Sequence, residues 1–66
     1  MEDLTPREHE VLECIKEGLN NTQIAKKLII SKHTAKSHVC SILRKLNAAN
    51  KIQAVVIGIK TGLILI

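Results

Sequence analysis

Phenylalanine, tyrosine and tryptophan are absent from this 66-residue chain, so any core must be assembled from Ile, Leu, Val and Ala. Binding modes that stack unpaired bases on aromatic rings are correspondingly disfavoured. No run of eighteen apolar residues occurs and none opens the chain, so neither a membrane span nor a signal peptide is expected. The apolar tail Leu63–Ile66 is too short to alter that reading. The expectation is a cytoplasmic protein with reduced thiols and no membrane partner. Cysteine is scarce: Cys14 and Cys40 are far apart, and no CxxC, HExxH or similar spacing joins them to His9, His33 or His38, so no metal or other cofactor is expected. A chain this short buries a modest share of its surface and has no room for a deep cleft. No acid–base pair, Gly-rich phosphate loop or activated nucleophile can be assembled from its residues, which argues against an enzyme.

What is present is positive charge. Ten Lys and Arg against six Asp and Glu leave a formal net charge of +4 and a pI near 9.4, which suits a polyanionic partner. An excess of charge is more often a solvated surface than a binding face, so the cations must be placed on one side of one element before they count.

Local signals divide the chain into helices. Thr5-Pro6-Arg7-Glu8 opens the first: Thr5 caps, Pro6 suits the first helical position, and Glu8 closes a capping box. Val11, Leu12 and Ile15 form its apolar stripe, and Gly18 supplies a left-handed stop, giving a helix from Pro6 to about Glu17. The pair Asn20-Asn21 precedes a second, short helix, Thr22 to Leu28, with Ile24, Ala25 and Leu28 on one face. After the brief break Ile29-Ile30-Ser31, Ser31 caps a third helix, so helices two and three must cross steeply through a tight turn: a helix-turn-helix.

The third helix, Lys32 to Leu46, repeats Ala35, Val39, Ile42, Leu43 and Leu46 at helical offsets. His33, Ser37, Cys40 and Arg44 fall opposite, with Lys36 on their flank. That polar, cationic ridge is long enough to lie in a major groove about 12 Å wide. Asn47–Asn50 reads as a loop, and Asn50 with Gln53 predicts a second capping signal before a last helix, Lys51 to about Lys60, ended by Gly62. This helix is apolar almost all round, more than a single core-facing stripe needs, so something else should cover it. Residues 1–66 form one all-α domain with no repeat, low-complexity tract or linker. Met1-Glu2-Asp3 reads as an appended remnant or the stub of a linker.

These residues resemble the LuxR/NarL/FixJ-type, or GerE-like, DNA-binding domain of bacteria. The similarity runs from Leu4 to Ile64. It rests on Leu4-Thr5-Pro6-Arg7-Glu8 with Glu10-Val11-Leu12, on Gly18 with Asn21, Ile24-Ala25 and Leu28, and on Ser31 with Thr34, Lys36 and His38. Ile42-Leu43-Lys45-Leu46, Asn50, Gln53-Ala54-Val55 and Gly62-Leu63-Ile64 complete it. The resemblance implies a compact four-helix domain with a central helix-turn-helix (helices two and three), a third helix that reads the major groove, and a C-terminal dimerisation helix. It implies sequence-specific binding of double-stranded DNA for transcription regulation, as a regulator or a response regulator's output domain, with RNA polymerase a candidate partner. Carried over by position, Lys36, Ser37 and Cys40 face bases, and Ser31, Thr34 and His38 face the backbone. Ala54, Val55 and Ile59 point inward, leaving Ile52, Val56 and Ile57 for a partner. Cys40 stands where the family commonly has a basic or amide side chain, Ala35 where Val is usual, and Asn47 where Gly is usual.

Each residue also has a plainer reading. Lys36 is a solvated lysine on a random chain, but here it lies in the first turns of the recognition helix, the segment that reaches base edges. Lys32, Arg44, Lys45 and Lys51 contact phosphates or nothing. His38 is a phosphate contact ahead of a buried hydrogen-bonding histidine. Cys14 packs as a small hydrophobe. Cys40 touches a thymine methyl or the groove floor in preference to acting as a redox switch. The outward residues of the fourth helix make a weak homodimer, or the tail folds back over them. A competing reading makes the domain a protein-interaction module that uses this apolar helix, the basic face being merely solvated.

Overall fold

The first helix, α1 (Pro6–Lys16), begins where its caps dictate. In this computed structural model, which describes residues 3–65, the Glu8 N–H donates to Thr5 Oγ1 at 3.1 Å and the Thr5 N–H donates to Glu8 Oε1 at 2.9 Å. Two helix-end donors are thereby satisfied reciprocally. Met1 and Glu2, expected as a remnant or linker stub, and Ile66 at the end of the tail lie outside the described residues. The helix ends one residue short of expectation, because Glu17 is already the cap and Gly18 reverses the chain at φ 87°. Leu19 N–H then donates back to Cys14 O at 3.1 Å, closing a left-handed stop.

α2 (Asn21–Leu28) starts one residue earlier than expected. Asn20 is its cap, in a full capping box with Gln23. α3 (Lys32–Leu46) follows after three residues, with Ser31 as its cap accepting from Thr34 N–H. Ile29, which ends α2, takes the left-handed conformation, φ 56° and ψ 52°. That conformation costs a residue carrying a Cβ roughly 1–2 kcal/mol. Asn47 ends α3 the same way at φ 54°, where an Asn tolerates it.

α4 (Lys51–Lys60) is capped by Asn50, but the capping box is only half made. The Gln53 N–H donates to Asn50 Oδ1 at 2.8 Å, whereas the Gln53 side chain accepts from Ala49 N–H instead of Asn50 N–H. Gly62 reverses the chain at φ 79°, and Leu63 and Ile64 turn back over Gly58.

Among the described residues the architecture is therefore all-α, four helices around one aliphatic core. α3 packs against each of the other three, and α1 packs on α2 and α4. Leu12, Ile24, Ile42, Val11 and Ala35 are fully buried, each large side chain contributing about 1.5–3 kcal/mol of transfer free energy. The tail seals the α1–α4 seam. Ile64 is buried against Gly58 and Leu12, His9 Nε2 donates to Leu63 O at 2.5 Å, and Lys16 Nζ donates to Leu65 O at 2.7 Å.

Three expectations change. Lys45, read as a phosphate contact or a solvated lysine, is largely buried and donates to Glu8 Oε1 at 2.7 Å, tying the end of α3 to the start of α1. Ile57, expected outward, is half-buried against the core, because at 100° per residue it lies beside Ala54 and Gly58 on the inner arc. Finally, the tail folds back, but over Gly58, which leaves Ile52 78% and Val56 43% exposed on the far arc. No helix among the described residues is long and apolar enough to cross a membrane.

Candidate nucleic-acid interface

Burial of Ala35, Val39, Ile42 and Leu46 fixes which side of α3 faces out. At 100° per residue, His33, Lys36, Ser37, Cys40 and Arg44 then share an arc of about 100°, and all five are exposed. With Ser41, the first four line a shallow concavity of about 380 Å³. No ion pair among the described residues involves Lys36 or Arg44, so both cations are directed at solvent.

The start of α3 completes the surface. Ser31 Oγ accepts from Thr34 N–H at 3.0 Å and donates to Thr34 Oγ1 at 2.8 Å. The Thr34 hydroxyl proton is left free to donate outward. No acidic residue occupies the first turn of α3, so its N-terminal dipole and unpaired N–H groups present a positive end suited to phosphate oxygens. Lys32 is exposed and flanks the arc on Lys36's side, whereas Thr34 and His38 are half-buried on the opposite flank. The residues read from the sequence as base-facing thus lie together on one outward arc. Those read as backbone-facing lie at its rim, except Arg44, which lies on the arc near its C-terminal end.

Two surface residues escaped the sequence reading. Lys26, on the last turn of α2, is exposed and makes no ion pair among the described residues, unlike Lys27, whose ammonium is 3.0 Å from Glu17. Its place near the end of the first helix of a helix-turn-helix was the available signal. Ile29, in the turn itself, is 90% exposed, and nothing in an apolar residue's identity signals exposure.

Elsewhere the electrostatics serve the fold. Burial is the largest single influence on Glu8 and would raise its pKa. The hydrogen bond from Lys45, the bonds from Thr5 and the charge of Lys45 together outweigh it and hold the carboxyl below its ordinary range. Burial pushes the Cys14 thiol up, consistent with a packed, inert side chain. Cys40 is exposed. A second concavity, about 450 Å³ and mainly apolar, lies between α4 and the α1–α2 loop, lined by Ile15, Leu19, Ile52, Val55 and Val56 among others.

Comparison with known proteins identifies the family and the fold. The family described as bacterial regulatory proteins, luxR family, matches residues 2–57. The chain is 48% identical over 63 residues to the uncharacterized transcriptional regulatory protein YxjL of Bacillus subtilis, covering 96% of the chain and 29% of that relative. It is 51% identical over 61 residues to the transcriptional activator protein SolR of Ralstonia solanacearum, covering 92% and 26% respectively. Among solved structures, the response regulator ChrA of a heme-sensing two-component system superposes with a TM-score of 0.91 at 38% identity, over 97% of this chain and 32% of that one. The chain thus spans about a quarter to a third of the length of these proteins.

Proposed function

This chain belongs to the luxR family of bacterial regulatory proteins, and from that premise we propose that it binds double-stranded DNA sequence-specifically to regulate transcription, with α3 in the major groove. The observation that carries the reading is the outward arc of α3, where Lys36, Ser37 and Cys40 are exposed together with no acidic side chain beside them among the described residues. In that docking, Lys36 donates to guanine acceptors, Ser37 donates or accepts at a base edge, and Cys40 makes apolar contact with a thymine methyl. Ser31, Lys32, Thr34, His38 and Arg44 hold the helix against phosphates, which sets register and affinity without reading sequence. Binding takes place in the cytoplasm, with RNA polymerase a further partner.

The domain acts as a weak homodimer on two half-sites. Ile52 and Val56 supply the contact through α4, since a small domain offers little other apolar area. Selection of duplexes from a random pool by the purified domain tests the proposal. A palindromic logo with half-sites about one helical turn apart is expected, and recovery of no enriched sequence contradicts it.

The exposure of Ile52 favours a second reading, an interaction module that uses α4 with a solvated basic face. Duplex affinity that falls steeply with salt, through counterion release, argues against it.

A further inference from the structure

The helix ends of this domain reverse on left-handed residues, and three of the four are of the expected kind: Gly18, Asn47 and Gly62. The fourth is Ile29, at φ 56° and ψ 52°. A β-branched side chain is a genuine outlier in that region, and Gly or Asn is the ordinary occupant of such a cap. The backbone there is held by Ile29 N–H and Ile30 N–H, both donating to Ala25 O. Those bonds need no particular side chain. The side chain itself is 90% exposed, so it gains nothing from the core. Neither the strained backbone nor the exposed apolar surface is compensated within the domain.

The place of Ile29 indicates what compensates them. It lies two residues before Ser31, the cap of α3, in the turn that precedes the proposed reading helix. Exposed Lys26 stands three residues before it and exposed Lys32 three residues after it. An exposed apolar side chain with an exposed cation three residues to either side in the chain, just ahead of a helix start whose N–H groups and hydroxyls suit phosphates, matches a sugar–phosphate strand. There the apolar carbons of deoxyribose alternate with charged phosphates. We propose that Ile29 is a DNA-contact residue that packs on deoxyribose at the groove edge while its neighbours hold the flanking phosphates. This rests on the reading that α3 enters the major groove.

The test separates contact from fold because the two call for opposite rankings. Ile29→Asn and Ile29→Gly suit the left-handed cap, and Ile29→Asn should raise the melting temperature by roughly 4 °C or more. Both should weaken binding to a selected duplex about fivefold, the loss expected for little more than one methylene equivalent of contact. The dependence of affinity on salt should be unchanged, since no phosphate charge is released or retained. Ile29→Leu, which keeps the apolar area, should bind like the parent. Affinities of Ile29→Gly and parent that agree within error overturn the proposal. Affinities that follow melting temperature also overturn it, since Ile29 would then act through the fold. If the parent itself shows no salt-dependent duplex binding, the nucleic-acid reading fails, an outcome recognisable before any variant is made.

Discussion

Lys45 keeps only 12% of its side chain in water and Glu8 only 7%, so this ion pair is a buried strut between the end of α3 and the start of α1. Removing one partner of such a pair leaves the other charge stranded, at a cost of about 3–5 kcal/mol. A domain of this size has little more than that in total stability. Lys45→Met should therefore unfold at much lower denaturant concentration than the parent. The pH dependence has a definite sign. The Glu8 carboxyl titrates below its ordinary value in the folded state, so its contribution to stability is full above the unfolded carboxylate pKa. It is lost as pH falls through the folded one. Denaturant unfolding followed from neutral to acidic pH should show this acid loss in the parent and much less of it in Lys45→Met. An identical acid limb in both proteins would contradict the assignment.

At the scale of elements, legibility followed range. Caps are local chemistry: Thr5, Asn20, Ser31 and Asn50 each sit within three residues of the N–H they satisfy. The start and end of α3 and α4 could be read directly, and α1 and α2 to within a residue. Long-range contacts could not. The pairing of Lys45 with Glu8 spans 37 residues, and nothing in either neighbourhood announces it. Gly58 gave no signal either, yet a Cβ there would stand 3.1 Å from both Ile64 and Leu12, so the tail can close on α4 only where a side chain is missing. The left-handed state of Ile29 is set by two neighbouring elements, since only three residues separate the end of α2 from the start of α3. The outward arc of α3 was legible because burial periodicity fixes both faces of a helix at once. The faces of α4 were not, because an almost wholly apolar helix has no polar side to mark the outside. There the structure leaves Ile52 and Val56 outward and draws Ile57 in. Ile52→Glu should consequently keep the melting temperature of the parent while abolishing dimerisation and lowering affinity for a two-half-site duplex. Sedimentation with and without DNA checks this, and a parent that occupies its site as a single domain would refute it.

For the molecule as a whole, the net charge of +4 becomes meaningful only through its distribution. Lys27 and Lys45 are paired with carboxylates within the domain, whereas Lys26, Lys32, Lys36 and Arg44 are exposed on the helix-turn-helix and make no ion pair among the described residues. Three of these, Lys32, Lys36 and Arg44, lie on α3, the element proposed to enter the groove, and Lys26 stands on α2 beside the turn. Lys51 and Lys60 on α4 are the other cations without a carboxylate partner among the described residues. The central claim is that base readout and phosphate contact belong to different residues of α3. Affinity of Lys36→Ala and Thr34→Ala for a panel of single-base variants of a selected operator, at one fixed salt concentration, measures it most directly. Lys36→Ala should lose about 1–3 kcal/mol on the best site and relax preference at one base pair, while Thr34→Ala should weaken all sequences nearly alike. A uniform loss for Lys36→Ala, with base preference unchanged, would make Lys36 a phosphate contact and contradict the account.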